Sequence, residues 1–250
     1  MCLAERGILI TRPLAQATGL ASLLREQGAR PELFPIIEIQ ERPDQLARLP
    51  NQFASADWVI FVSPSAIDCA MPRLSLIGPK PRLACIGAAS AAKLSVLARA
   101  PVLYPTSASD SHALLQLPEL STVAGQRILI VRGEGGRAEL GQALRQRQAQ
   151  VDYADIYRRV DSAPDWPRFD HLMNEQRLDA CIVTSSEIAE RLFQLAGSAR
   201  IQALQCLHYC VPHPRIAERL AALGVARIVT TRADDAAMVA GLREWFSRHP

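Results

Sequence analysis

The chain has no CxxC pair, no run of five like charges, no lysine cluster and no uninterrupted stretch of about 18 apolar residues. Each absence removes a class. Without a long apolar run nothing is expected to span a membrane. Basic and acidic residues, 28 against 25, are dispersed along the chain, which argues against a dedicated nucleic-acid binder with a basic face. The six cysteines (Cys2, Cys69, Cys85, Cys181, Cys206, Cys210) sit mostly in apolar stretches and read as reduced, buried thiols, so no metal site is expected. Cys206 and Cys210 flank LHY inside an expected strand, on one face, but no second ligand pair accompanies them. The segment MCLAERGILITRP lacks a basic region followed by a long apolar core, so the protein is expected to stay in the cytoplasm.

What is present is a 49% hydrophobic chain of 250 residues, enough to fill real cores. Short β-branched runs alternate with turns rich in Gly, Pro, Ser or Thr and with Ala/Leu/Arg-rich stretches of helical period. GILITR is followed by LAQATGLASLLREQG, where Leu20, Leu23, Leu24 and Gln27 recur at helical spacing before Gly28 stops the helix. Further expected strands are ELFPIIEI, DWVIFVS, RLACIG, QRILIVR, VDYADIYRRV, DACIVTS, QCLHYCV and ARIVTT. Near-continuous apolar strands separated by helices predict α/β architecture with parallel sheets covered on both faces. Periodicity alone leaves one barrel and two smaller open sheets both open.

FPIIEIQ (34 to 40) and YADIYRRV (153 to 160) differ, with polar and apolar residues alternating and no long helix directly after them. They predict a two-stranded linker, residues 37–40 and 153–160. The rest then divides into a discontinuous α/β domain, 1–36 plus 161–250, and a second domain, 41–152, inserted into it.

ILITRP, ILIVRG and IVTTRA each end a strand with an arginine: Arg12, Arg132 and Arg232. These are either solvated strand ends or groups facing a ligand crevice beyond the carboxyl ends of the strands. Five strand-to-helix turns carry small hydroxyl or glycine residues: VSPSAID, IGAASAAKL, VRGEGGRAEL with Gly133, VTSSEIAERL, and VPHPRIAERL with His213 at the turn. Ser63, Ser65, Ser90, Ser185 and Ser186 either cap their own helices or join free backbone N–H groups in an anion-binding surface. No GxSxG elbow is present. His112, His171 and His249 read as solvated and His208 as a hydrogen-bonded core residue. A competing signal is GEGGRA (133 to 138), matching G-x-G-x-x-A after a strand, with Asp155 at ribose-recognising distance. Glu134 inside the loop opposes a bound pyrophosphate, so an NAD(P)-dependent oxidoreductase is the weaker alternative. A non-enzymatic two-domain binder of an anionic small molecule is another.

Taken in order, ILITRP, DWVIFVSPSAID, ACIGAASAAKL, ILIVRGEGGRAELGQAL, DIYRR, DACIVTSSEIAERL and VPHPRIAERLAALGVARIVTTRADDAAMVAGL resemble the uroporphyrinogen-III synthase family over essentially the whole chain. The resemblance implies two doubly wound α/β domains joined by a two-stranded linker, the second inserted into the first. It implies the substrate hydroxymethylbilane, inversion of the terminal pyrrole ring, loss of water, and the product uroporphyrinogen III of haem and sirohaem biosynthesis. It also implies a monomer working without metal or organic cofactor. By resemblance Tyr157 in DIYRR is the candidate acid at a cleft edge. Arg12, Ser63, Ser65, Ser90, Arg132, Gly133, Ser185, Ser186, His213 and Arg215 are the candidate substrate-binding residues. One departure stands out: many relatives have Gly-x-Thr-Thr-Ala where this chain has PHPRIA, with Arg215 and Ile216 at the threonine positions.

Overall fold

The computed structural model describes residues 3–75, 81–106, 108 and 110–249. The chain forms two compact units, Met1–Glu38 with Val160–Pro250, and Ile39–Arg159.

The first unit carries β1 (Gly7–Ile10), α1 (Leu14–Glu26), β2 (Arg30–Leu33), α7 (Trp166–Asn174), β9 (Ala180–Ile182), α8 (Ser186–Ala196), α9 (Ile201–Cys206), β10 (His208–Val211), α10 (Pro214–Ala222), β11 (Ile228–Thr230) and α11 (Asp235–Arg248). Its five strands lie in the order β2, β1, β9, β10, β11, all parallel. Because side chains alternate along a strand, the sheet feeds two cores. Leu9, Cys181 and Tyr209 pack on one face with α8 residues Ile188 and Leu192. Ile8, Ile10, Ile182 and Cys210 pack on the other with Leu20 and Leu24 of α1 and Leu242 of α11. In α1 the buried positions Ala17, Leu20, Ala21 and Leu24 recur at helical spacing, and Gly28 at φ +81° turns the chain back toward the sheet.

The second unit carries α2 (Pro43–Ser55), β4 (Trp58–Phe61), α3 (Pro64–Ala70), β5 (Arg82–Cys85), α4 (Ala88–Ala98), β6 (Val102–Leu103), α5 (Ser111–Leu115), β7 (Arg127–Gly133) and α6 (Glu139–Gln146). Two strands, β3 (Ile37–Glu41) and β8 (Gln150–Asp161), run across its boundary. The six-stranded order is β3, β8, β7, β4, β5, β6, with β8 through β6 parallel. WVIF of β4 is buried at all four positions. Val59 and Phe61 pack on one face, and Trp58 and Ile60 on the other. Each sheet is therefore covered on both sides, the doubly wound arrangement expected from near-continuous apolar strands.

Several local expectations are corrected. ELFPIIEI is two strands, β2 and β3, broken at Phe34, Pro35 and Ile36. The segment 153–160 is part of one 12-residue strand that pairs with β7 from Gln150 to Tyr157. Cys206 does not share a strand face with Cys210: it ends α9 and is exposed, whereas Cys210 is buried in β10. His208 is buried, but both ring nitrogens lack a hydrogen-bond partner among the described residues, and the ring stacks on Trp245 at 4.0 Å.

Candidate functional site

The strand orders locate the sites. The second unit's parallel strands, renumbered in chain order, run 3-2-1-4-5, so winding reverses between β4 and β7. In the first unit the order is 2-1-3-4-5, with the reversal between β1 and β9. Ligands of open α/β sheets bind beyond the carboxyl ends of the strands at such switch points, where connections leave on opposite faces and open a crevice.

At the second unit's switch point Ser63 follows β4, in extended conformation, and caps α3: its Oγ accepts from the Ala66 N–H at 3.0 Å. Pro64 at the first helical position suits this entry, having no N–H to satisfy. The Tyr157 hydroxyl, from β8, lies 2.9 Å from Ser63 Oγ, and the Arg159 guanidinium donates to the phenol oxygen at 3.2 Å. Tyr157 is fully buried, not at an open edge. A bulge explains its aim. β7 and β8 pair Arg132 with Asp155 and then Gly133 with Tyr157, leaving Ile156 extra on β8. Consequently Ile156 and Tyr157, consecutive residues, both enter the same core.

Arg132 is engaged by its own unit. Its Nε donates to Asp155 at 2.7 Å, its Nη1 donates to the carbonyls of Gly136 and Arg137 at 3.0 Å each, and its guanidinium lies over the Tyr153 ring at 3.8 Å. It ties the glycine-rich turn to the sheet. The same contacts remove Asp155 from any ribose-reading role, and Glu134 pairs with Arg42 at 3.2 Å. Ser65 and Ser90, in the first turns of α3 and α4, are both buried.

At the first unit's switch point the Thr11 hydroxyl donates to the Ile182 carbonyl at 2.8 Å, tying β1 to β9. Arg12 makes a two-pronged pair with Asp235 in the first turn of α11, both contacts 2.7 Å. Its expected ligand-facing role is thus answered in this structure by an internal carboxylate. Ser185 caps α8, accepting from the Ile188 N–H at 3.1 Å, and Ser186 is the first helical residue. His213 caps α10 unusually: Nδ1 accepts from the Arg215 N–H at 3.1 Å, which requires the proton on Nε2. Arg215 is exposed at the same helix start, and Arg232 is exposed and lies 3.6 Å from Asp234. Because all five strands are parallel, these helix starts share the carboxyl edge of their sheet. Ser63 and Ser185 thus do cap their own helices, one of the two readings left open by the sequence.

Sequence reasoning missed Arg159 and Asp235. Arg159 was findable, because residues two apart on a strand share a face, and Arg159 stands two after Tyr157. Asp235 depended on which helix start α11 brings beside β1, which no local pattern encodes. Among the described residues no group of three His, Cys, Asp or Glu is arranged to hold a metal ion.

Two doubly wound α/β units, each with hydroxyl-capped helix starts at a switch point, define the class. A family model described as uroporphyrinogen-III synthase HemD matches residues 19–240, and the chain belongs to that family, whose members are cyclising lyases of tetrapyrrole biosynthesis. The uroporphyrinogen-III synthase of Salmonella typhimurium is 36% identical over 198 residues, covering 75% of this chain and 79% of the relative. That of Escherichia coli is 34% identical over 195 residues, with the same coverages of 75% and 79%. A solved structure of a mutant uroporphyrinogen III synthase from Thermus thermophilus is similar in fold, with TM-score 0.60, 19% identity, and 97% and 99% of the two chains covered. No helix among the described residues is long and apolar enough to cross a membrane.

Proposed function

We propose that the chain cyclises hydroxymethylbilane to uroporphyrinogen III, inverting the terminal pyrrole ring and releasing water. The observation that carries this reading is the Ser63–Tyr157 hydroxyl pair, 2.9 Å apart, at the switch point of the second unit. The terminal hydroxyl must leave with a proton as water, giving an azafulvene, and ring closure through a spirocyclic pyrrolenine then inverts the last ring. A hydroxyl pair assists departure by hydrogen bonding, a modest contribution, so most of the selectivity comes from holding the bilane folded.

The substrate has eight carboxylates. Helix starts at Ser63, Ser185 and His213, each with backbone N–H groups and a cap, hold such groups at about 0.3–1 kcal/mol per exposed end. Ser65, Ser90 and Ser186 stand in the first turns and Gly133 beside the phenol. Arg215, exposed, replaces hydroxyl contacts with a charge-assisted one. Arg12 meets a carboxylate only by exchanging Asp235 for it. Arg132 acts by fixing the 133–138 turn.

In this reading residues 37–40 and 153–160 serve as linker strands between 1–36 plus 161–250 and 41–152. The protein works as a cytoplasmic monomer without metal or organic cofactor. The test supplies purified protein with hydroxymethylbilane and separates type I from type III uroporphyrinogen by chromatography. Predominantly type III is expected; product matching the spontaneous type I background overturns the proposal.

A further inference from the structure

We infer that Ser63, not Tyr157, is the hydroxyl that touches the substrate, and that Arg159 is a positioning residue that sets the direction of the hydrogen-bond chain behind it. The inference rests on the uroporphyrinogen-III synthase reading above and on a donor–acceptor count within the second unit.

A phenol has one proton to give. Tyr157 is fully buried, and among the described residues its oxygen meets Ser63 Oγ at 2.9 Å and the Arg159 guanidinium at 3.2 Å. Arg159 is a donor and never an acceptor. If Ser63 also donated to the phenol oxygen, the phenol's own O–H would be buried with nothing to receive it, a desolvation loss without compensation. The favoured direction is therefore Arg159 to Tyr157 to Ser63. Ser63 Oγ then accepts twice, from the phenol and from the Ala66 N–H at 3.0 Å, and a hydroxyl has two acceptor positions. Its own proton remains, with no acceptor among the described residues. Ser63 is half-buried, whereas Tyr157 is sealed, so the unspent O–H belongs to the residue a ligand can reach.

The site thus presents one oriented donor, Ser63 O–H, polarised by a chain of donors ending in a cation. Such chains strengthen their terminal donor. Its partner is the leaving hydroxyl of the bilane, which takes the hydrogen bond as the carbon–oxygen bond breaks. When the proton passes to the departing oxygen, the Tyr157 proton moves to Ser63 and Arg159 faces the phenolate while the bilane carries the matching positive charge as an azafulvenium. The proton the bilane sheds on ring closure returns through Ser63 to the phenolate, so charge and protons balance.

The test is a double-mutant cycle on the full chain, following type III formation with hydroxymethylbilane. Ser63→Ala and Tyr157→Phe are each expected to lower kcat at least tenfold with KM changed less than twofold, and the double variant should be no slower than the worse single variant, as for groups acting as a unit. Arg159→Met should lower kcat several-fold at unchanged KM, and Arg159→Lys, which keeps a donor and a charge, should restore most of it. Ser63→Ala with a near-normal kcat beside a slow Tyr157→Phe, or effects that multiply in the double variant, would overturn the inference. If Arg159→Met fails to fold, the serine–tyrosine cycle still decides. Wild-type protein yielding only type I product sinks the underlying reading instead, whatever the variants do.

Discussion

Gly133 and Tyr157 are register partners across β7 and β8, and the phenol ring fills the space a side chain at 133 would need. A β-carbon there would lie 2.6 Å from Cε2 and 2.7 Å from Cζ of the ring, closer than any packed contact. The glycine is thus part of how the hydroxyl is aimed: the bulge turns the ring toward Ser63, and the missing side chain lets it stay. Gly133→Ala should lower stability by roughly 1–3 kcal/mol, the usual loss on overpacking. Its kcat for type III formation should fall at least tenfold, because the ring must move off Ser63. Urea melts and product chromatography measure the two effects; a variant with wild-type turnover would show that the phenol's position does not matter.

His208 gives a pH dependence. Burial, then the charges of Arg227 and His249, pushes its pKa down from 6.5 to about 4. An unfolded chain therefore binds a proton at this residue between about pH 6.5 and pH 4 that the folded chain does not. Stability contributed here is complete above the unfolded value and falls as pH drops through that window, by on the order of 3 kcal/mol in all and about 2 kcal/mol by about pH 5. Urea midpoints at pH 5 and pH 7.5 should differ accordingly. A His208→Leu variant should lose much of the difference; an unchanged difference would assign the effect to other groups.

The sheet-and-helix layout was legible because strands buried on both faces are apolar nearly throughout, as WVIF and GILI are. The caps were legible too, since a small hydroxyl before an apolar helical stretch has few other uses. What was not legible was long-range pairing. Arg12 and Arg132 have the same local sequence setting as ligand-facing arginines, yet one meets Asp235, 223 positions away, and the other curls onto carbonyls of its own turn. Cys206 was assigned to a strand because QCLHYCV is mostly apolar with no turn residue inside it, although the chain changes from α9 to β10 within it.

The pairing of Arg132 with Asp155 should matter more than surface pairs of equal distance. The arginine side chain is 13% exposed and the aspartate 30%, whereas Arg248 and Glu244, 2.6 Å apart on α11, are 71% and 62% exposed. Asp155→Ala leaves a half-buried guanidinium short of its acceptor and should cost about 1–3 kcal/mol. Glu244→Ala should cost no more than about 0.5 kcal/mol. Denaturant melts at 0.05 and 0.5 M salt distinguish them, since only the exposed pair is well screened. Equal losses for the two variants would mean that the glycine-rich turn does not depend on its arginine anchor.

Thiol reactivity offers a check on both units at once, because the thiolate is the nucleophile and burial disfavours it. Burial, and the nearby charges of Glu41 and Asp68, raise Cys69 to about 11, and burial raises Cys85 and Cys210 to about 12 and pushes Cys181 up as well. Cys206, at the end of α9, is exposed. Brief iodoacetamide treatment of the native protein at pH 7.5, read by peptide mass mapping, should label Cys206 first among these five. The four buried thiols should react only at the rate of local or global opening, and urea below the unfolding midpoint should accelerate them. Rapid labelling of Cys85 without denaturant would contradict the packing of β5, and rapid labelling of Cys210 that of β10.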